Sequence, residues 1–227
     1  MKPCAFTGQS LLDHSKGSLR VARKVMSDSF IETAIKRLER FDVKVRREDF
    51  EIAVLLHDIG KAGEYYQDQF DEECNPVRGS PSFIYHEIGS AIFFYKNVDD
   101  TVLRKMLVLA MLNHLNAIRG VSSLSVTKFP KGFNVGMIKL RRYGKVLLEE
   151  LGLNSYTVDD YSFDDYHDML VELARSNEPY LKLYSLFLAP IIVGDNLDSS
   201  LARSRGERRR FIQVLEKEVE RLDSSLV

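Results

Sequence analysis

Apolar residues recur three and four positions apart along nearly the whole chain, which places them on one face of a helix. Charged and polar residues occupy most of the positions between them, as in helices that bury one side. The first two runs show the pattern at Leu19, Ala22, Val25, Met26, Ile31, Ala34, Ile35 and Leu38. The spacing therefore predicts an all-α protein.

Further helices are predicted wherever the same spacing returns between glycine and proline residues. They cover residues 49–57, 85–95, 102–115, 137–151, 162–175, 179–200 and 207–222. Gly152 suits the C-terminal end of one helix, and Pro190 is expected to kink or break another. With 227 residues, we expect one domain over residues 1–227 with a core that needs no cross-links.

Residues 118–135 depart from the helical pattern. They are rich in Ser, Gly and Lys, with partial alternation at Val121, Leu124 and Val126. This pattern predicts a long loop, or a short hairpin within it. Loops of this length in a compact domain are often functional.

Composition restricts the classes of function and the location. The formal net charge is −1, so nucleic acid would have to be held by local basic clusters or by metal. The longest apolar tract, residues 181–194, is too short and too polar to span a bilayer. Cys4 and Cys74 form no CxxC pair, so we expect no disulfide framework and a reducing compartment. No signal-type apolar segment follows Met1, so a cytoplasmic location is expected.

The run HDIGK at residues 57–61 places an imidazole and a carboxylate at the end of the apolar stretch 52–56. Burying such groups is costly unless something compensates their charge. A divalent cation would do so, because neutral imidazole and ionised carboxylate both bind one. The alternative is a core histidine hydrogen-bonded to its neighbouring acid. His57 and Asp58 alone do not decide between the two.

Four more ionisable residues lie at the ends of apolar helical stretches: His14, His86, His114 and Asp195. Each alone is also compatible with a satisfied polar group in a core. Together they can converge on one pocket, which is how helical bundles build metal sites. His167 differs, because it lies in an acidic stretch and is expected to be solvated at the surface.

The order of these residues resembles the HD superfamily of metal-dependent phosphohydrolases. Finer features resemble the CRISPR-associated HD nucleases that work beside a superfamily 2 helicase in type I systems. They are Tyr66-Gln67, His86-Glu87, Ser90-Ala91, Gly194-Asp195 and Asp198-Ser199. The resemblance spans residues 14 to about 200, and no helicase motifs follow. It therefore implies the stand-alone nuclease subunit, folded as a single HD-domain helical bundle.

The resemblance also implies a set of metal ligands. One ion would be held by His14, His57, Asp58 and Asp195, and Asp58 would bridge to a second ion held by His86 and His114. Mixed imidazole and carboxylate ligands favour Mn, Fe, Co, Ni or Zn over Mg. The family commonly has two consecutive histidines where this chain has Asn113-His114. Whether one or two ions bind is therefore left open.

Asp58 and Lys61 are the predicted catalytic residues. Lys61 lies one helical turn beyond His57, close enough to face the same phosphate and stabilise developing negative charge. The alternative is a surface lysine that follows a glycine.

Substrate binding is assigned to basic residues in two places. Lys128 and Lys131 lie beside phenylalanines in the long loop, and interleaved aromatic and basic residues suit stacking of unpaired bases. Arg203 and Arg205 belong to the densest basic cluster, which a solvated helix face explains equally well.

The function implied is a metal-dependent nuclease that hydrolyses phosphodiester bonds of single-stranded DNA in CRISPR interference, with RNA as a further candidate substrate. Its partners would be a separate superfamily 2 helicase subunit and the CRISPR effector complex, with no membrane. One alternative is an HD-type nucleotide or cyclic-nucleotide phosphohydrolase. Another is a non-catalytic, metal-stabilised subunit that binds nucleic acid.

Overall fold

Helices dominate the computed structural model, which describes residues 2–115, 123–202 and 210–224. This confirms the predicted all-α class. The helices are α1 (Leu11–Val25), α2 (Asp28–Glu39), α3 (Arg47–Leu55), α4 (Glu64–Gln67), α5 (His86–Asn97), α6 (Thr101–Asn113), α7 (Arg141–Leu151), α8 (Phe163–Ala174), α9 (Ser185–Ala202) and α10 (Arg210–Ser224). Short 3-10 helices occur at Ile59–Ala62, Val135–Ile138 and Pro179–Tyr184.

Local sequence sets several helix ends. The Ser10 side chain accepts a hydrogen bond from the Asp13 amide at the start of α1, and Asp100 caps α6 in the same way. Such caps satisfy amides that have no partner within the helix. α7 ends at Gly152, which has a φ of +71°. The predicted glycine stop is therefore confirmed.

Helix α9 runs along α1 and forms the centre of the packing together with α3 and α6. Gly194 permits this approach, because a Cβ atom there would lie 2.5 Å from the Ser18 carbonyl oxygen. Of the expected kink or break at Pro190, the break is absent, because α9 continues through this residue. A proline removes only one backbone hydrogen bond from the helix, and the buried packing of α9 against its neighbours holds the remaining turns together.

A two-stranded antiparallel sheet precedes α1 and consists of β1 (Cys4–Phe6) and β2 (Gln9–Ser10). Cys4 forms a disulfide with Cys74, 70 residues along the chain. The expectation of no disulfide is therefore wrong, and the inference of a reducing compartment loses its basis. Cysteine spacing did not reveal the bond because the fold, and not the local sequence, brings β1 beside the segment after α4.

The described part of the long loop, residues 123–135, contains one isolated bridge between Ser125 and Lys128, so it is a loop with a tight turn. The His167 imidazole contacts it through Nδ1, which lies 2.6 Å from the Val126 carbonyl oxygen. His167 is half-buried, so its expected position as a solvated surface residue is wrong. An acidic neighbourhood did not reveal that α8 presents this ring to the loop.

Within the described ranges, every helix is too short or too polar to cross a lipid bilayer.

Candidate metal centre

Six side chains from five parts of the fold meet beside α1. His14 lies in the first turns of α1, and His57 and Asp58 follow α3 directly. His86 is the first residue of α5, His114 follows the last residue of α6, and Asp195 lies in the middle of α9. These are the ligands expected from the sequence: His14, His57, Asp58, His86, His114 and Asp195.

Four of them form a first ligand group: His14, His57, Asp58 and Asp195. His14 Nε2 lies 3.0 Å from Asp58 Oδ2 and 3.4 Å from Asp195 Oδ1. His57 Nε2 lies 3.5 Å from the same Asp58 oxygen and 3.8 Å from Asp195 Oδ1. Two imidazole nitrogens and two carboxylate oxygens thus surround one small volume, a donor set that suits a divalent transition metal.

The second ligand group consists of Asp58, His86 and His114. His86 Nε2 lies 2.8 Å from Asp58 Oδ1, His114 Nε2 lies 3.4 Å from it, and the two Nε2 atoms are 3.1 Å apart. Asp58 therefore presents one carboxylate oxygen to each group. This is the arrangement needed for a carboxylate that bridges two cations.

Backbone carbonyls orient three of the four imidazoles. Nδ1 of His57 lies 2.7 Å from the Val54 oxygen, and those of His86 and His114 lie 2.6 Å from the oxygens of Phe83 and Met111. A carbonyl oxygen only accepts, so each Nδ1 carries the proton. In the neutral ring Nε2 then keeps a lone pair that points into the ligand groups.

The centre of the site can hold a cation. His14 Nε2, His57 Nε2 and both Asp58 oxygens are buried, and none has a partner in hydrogen-bond geometry among the described residues. Within the described ranges, the one close charge partner of Asp58 Oδ2 outside the histidines is Lys61 Nζ, at 2.6 Å. Leaving such atoms unsatisfied is costly, and lone pairs of neighbouring imidazoles would repel each other at the distances observed. A metal ion between them satisfies these atoms together, so the residues present fit the metal that the donor set suggests.

The electrostatics of the site agree with a cation at this place. Burial opposes the charged form of His14, but the carboxylates of Asp195, Asp198 and Asp58 outweigh it and raise its pKa to about 10. Burial also opposes the ionised form of Asp58, yet Lys61 and the surrounding histidines hold its pKa well below the ordinary value. The pKa of Asp195 is lowered in the same way by His14 and His57 against the effect of burial. Without metal, a proton on His14 supplies part of the missing positive charge.

Lys61 is buried in the 3-10 helix Ile59–Ala62, with 5% of its surface exposed, so the alternative of a surface lysine is excluded. Its Nζ lies 2.6 Å from Asp58 Oδ2 and 4.4 Å from the centre of the Phe6 ring. The Phe83 ring lies on another side at 5.2 Å. Two aromatic faces and one carboxylate thus hold this cation at the edge of the ligand groups.

Contacts around the HDIGK run explain why it contains a glycine and how it is held in place. A Cβ atom on Gly60 would lie 1.9 Å from the His86 carbonyl oxygen, so only glycine lets this turn pack against the start of α5. The Gly60 amide donates to Ser90 Oγ, and Gln67 Nε2 donates to the Lys61 carbonyl oxygen. Both contacts fix the segment that carries Asp58 and Lys61.

The side chain of Asn113 is hydrogen-bonded within its own helix. Its side-chain nitrogen donates to the Leu109 carbonyl oxygen, one turn earlier in α6. The second ligand group therefore contains one histidine from this helix end, His114.

Two of the four predicted substrate-binding residues lie within the described part of the chain. Lys128 and Lys131 are exposed, and the Lys131 carbonyl oxygen accepts from Tyr85 Oη, next to His86 in the chain. The rings of Phe129 and Phe133 stack on each other at 4.3 Å. Phe129 also contacts rings of α8 and Phe133 contacts Tyr85, so both are engaged within the protein. Arg203 and Arg205 lie outside the described residues.

The sequence interpretation assigned no role to two residues that support the site. Asp198 Oδ2 lies 2.9 Å from His14 Nδ1, and Gln9 Nε2 donates to the same oxygen. Asp198 follows Asp195 by three residues on α9, a spacing that places both on one helix face. That spacing is the signal that could have pointed to it.

The chain was compared with known proteins. No protein-family model matches it. The CRISPR-associated endonuclease Cas3-HD of Saccharolobus solfataricus is 49% identical to it, with 96% of this chain and 97% of the relative aligned. The chain belongs to the Cas3-HD family. The Cas3-HD endonuclease of Methanocaldococcus jannaschii is 25% identical over 96% of both chains.

Membership of the Cas3-HD family confirms the predicted family and the general function, a CRISPR-associated nuclease with an HD domain. A solved structure of the Cas3 HD domain protein of Methanocaldococcus jannaschii has the same fold, with a TM-score of 0.57 and 21% identity. It covers 85% of this chain, and 98% of the solved chain is matched.

Proposed function

We propose that this Cas3-HD chain is a metal-dependent nuclease that hydrolyses phosphodiester bonds of single-stranded DNA during CRISPR interference. The observation that carries the proposal is Asp58, whose two oxygens face two ligand groups while Lys61 lies at 2.6 Å. A non-catalytic metal site would need neither a shared carboxylate nor a buried lysine beside it.

The ligand types indicate one or two divalent ions, with Mn, Fe, Co, Ni or Zn favoured over Mg because four of the six ligands are imidazoles. When bound, such ions activate water and neutralise charge on the scissile phosphate. His14, His57, Asp58 and Asp195 would hold one ion, and Asp58, His86 and His114 the other.

The chain's own catalytic contribution comes from Lys61 and Asp58. Lys61 is shielded from water by Phe6 and Phe83, so its charge acts in a medium of low dielectric constant. A fixed cation there stabilises the negative charge that develops on the phosphate during hydrolysis. Asp58 keeps Lys61 in place and stays ionised, because its pKa is lowered.

The depth of the site supports a single-stranded substrate. The Asp195 side chain is 17% exposed, whereas that of Asp58 is 2% exposed, so substrate approaches from the Asp195 side. A flexible single strand can bend its backbone into such a recess, while duplex DNA is stiff over about 50 nm. Lys128, Lys131, Arg203 and Arg205 are proposed to contact the strand. RNA has a similar phosphodiester backbone and is the further substrate to test.

A nuclease for single strands needs a source of them. We therefore propose that a separate superfamily 2 helicase subunit unwinds duplex DNA for this chain within the CRISPR effector machinery.

The test is incubation of the purified chain with circular single-stranded DNA, circular single-stranded RNA and duplex DNA, each with Mn, Co, Ni, Zn or Mg. We expect the single-stranded DNA circle to be nicked with a transition metal. In Asp58→Ala cleavage should fall about 10³-fold, equivalent to roughly 4 kcal/mol, because both ligand groups lose their shared carboxylate. Asp168→Ala, an exposed carboxylate on α8, is the matched control.

The same experiment separates the alternatives. Hydrolysis of nucleotides or cyclic nucleotides with intact circles would favour a small-molecule phosphohydrolase. Metal binding without hydrolysis of any phosphoester would favour a non-catalytic subunit. Full cleavage by Asp58→Ala would contradict the proposed site.

A further inference from the structure

Among the four imidazoles of the metal centre, His14 differs in what holds its Nδ1. His57, His86 and His114 each use a backbone carbonyl three residues earlier. His14 Nδ1 lies 2.9 Å from a carboxylate oxygen of Asp198, a residue 184 positions away that is 5% exposed. A buried carboxylate behind a metal-facing imidazole has a different electronic effect from a neutral carbonyl.

The Asp198 carboxylate is itself fixed from two sides. Gln9 Nε2 donates to Asp198 Oδ2 at 3.0 Å. Gly17 leaves the space for the other oxygen, because a Cβ atom at Gly17 would lie 1.8 Å from Asp198 Oδ1. The carboxylate therefore occupies a fitted position between α1 and β2.

Helix α9 places one carboxylate near each nitrogen of the His14 ring. Asp195 Oδ1 lies 3.4 Å from Nε2, and Asp198, one helical turn later, lies beside Nδ1. The imidazole is thus oriented by Asp198 through Nδ1, which leaves Nε2 on the side of Asp195 and the first ligand group.

We propose that Asp198 is a positioning residue that fixes the His14 tautomer and makes its Nε2 a stronger metal donor. The first ligand group would consequently bind its ion more tightly than the second, which has only carbonyl-oriented histidines. The reason is general: a carboxylate that accepts the second N–H of a ligating histidine holds the ring in place and raises its basicity. This inference rests on the metal-binding part of the proposed function.

The test is calorimetric titration of the metal-stripped full chain with Mn²⁺, without DNA. In Asp198→Asn the affinity for the first ion should fall 10- to 100-fold, the range typical of residues that support a metal ligand. The affinity for the second ion should change far less. Asp168→Asn, at an exposed position of α8, is the matched control and should leave both affinities unchanged.

Two further variants make the assignment secure. His114→Ala removes a ligand of the second group only, so the binding event that survives in it belongs to the first group. If the wild type binds a single ion, that event must survive in His114→Ala and weaken in Asp198→Asn. Gln9→Ala leaves the ligands and Asp198 in place but frees the carboxylate, and it should weaken the first event less than Asp198→Asn does.

A purely structural role would give a different result. It would lower the melting temperature of metal-free Asp198→Asn and weaken both binding events alike, which would overturn the proposal. Unchanged Mn²⁺ affinity in a folded Asp198→Asn would overturn it too. If Asp198→Asn does not fold, the titration of Gln9→Ala decides instead. Weakening of the first binding event alone supports the proposal, and unchanged affinity or equal weakening of both events overturns it. Because no DNA is present, the titration does not depend on nuclease activity. A chain without nuclease activity would leave this inference standing, and a failure of this inference would leave the proposed nuclease function standing.

Discussion

The two ligand groups share Asp58 but are built in different ways. The histidines of the second group lie at helix ends, where each Nδ1 reaches a carbonyl three residues earlier in the same stretch of chain. His14 of the first group lies inside α1, where the carbonyls of the preceding turn are used by the helix itself. It therefore depends on Asp198 from α9. His57 of the first group is oriented locally as well, so His14 is the one imidazole of the four that is oriented by tertiary contact.

The charge of the two groups differs as well. The first group has two carboxylates among its ligands and a third behind His14, whereas the second group has Asp58 alone. Carboxylates attract a divalent ion more strongly than neutral imidazoles do. The comparison teaches that two ligand groups that share a carboxylate can differ in their affinity for a metal ion.

Removing one histidine from each group is the most direct way to break the comparison. His14→Ala should weaken binding of the first ion by about 10³-fold, above the 10- to 100-fold cost of losing a residue that only supports a ligand. His114→Ala should leave that event in place and remove the second. Mn²⁺ calorimetry with circular dichroism as a check of folding measures both. Equal losses in the two variants would mean that the groups act as one site.

A substitution at Lys61 tests catalysis separately from metal binding. Lys61→Met keeps the aliphatic stem between Phe6 and Phe83 but removes the charge, so cleavage should slow by about 10²- to 10³-fold. Mn²⁺ affinity should stay equal or rise, because a cation 2.6 Å from Asp58 Oδ2 no longer opposes the metal. Rates of DNA cleavage at saturating metal, paired with calorimetry, test this. A parallel loss of metal affinity would instead assign Lys61 a structural role.

The pH dependence of metal binding sharpens the contrast further. His14 has its pKa raised to about 10, so at pH 8 the metal-free ring is protonated and must lose that proton when the ion binds. The affinity for the first ion should therefore rise by about tenfold per pH unit up to about pH 10. Calorimetry in buffers of different ionisation enthalpy should detect release of about one proton. No proton release at pH 8 would contradict the charge assigned to His14.

The disulfide should have the smallest effect on the centre. Replacing both Cys4 and Cys74 by serine opens a link between residues 70 positions apart, which should lower the free energy of unfolding by about 2–4 kcal/mol in urea. β1 pairs with β2, which carries Gln9, so the first ion should bind slightly more weakly, by less than about tenfold. The affinity for the second ion should be unaffected. A loss of affinity for the second ion alone would contradict the connection from the disulfide through β1 and β2 to Gln9.

Much of the site could be predicted from the sequence because its parts leave local signals. Each ligand stands at the end of an apolar stretch or inside a helical pattern, where an ionisable side chain is expensive to bury. The HDIGK run also carries its own geometry, since Gly60 and the helix ends nearby set where Asp58 and Lys61 point. The end of α7 at Gly152 and the all-α class could be predicted in the same way, from residue spacing and from the residues that end helices.

The errors concern contacts between distant segments. The Cys4–Cys74 disulfide and the anchoring of the long loop by His167 both depend on what packs against each residue. Spacing along the chain contains no information on such partners.

The sequence by itself determined the helices, the six ligand types and the orientation of the three histidines that use carbonyls three residues away, because these depend on short-range geometry. Only the tertiary structure decided that α9 would deliver Asp195 and Asp198 to opposite nitrogens of His14. Two glycines, Gly17 and Gly194, allow that close approach of α1 and α9. Because the carbonyls of the preceding turn of α1 are already hydrogen-bonded, the His14 side chain needs a hydrogen-bond partner from a distant part of the chain.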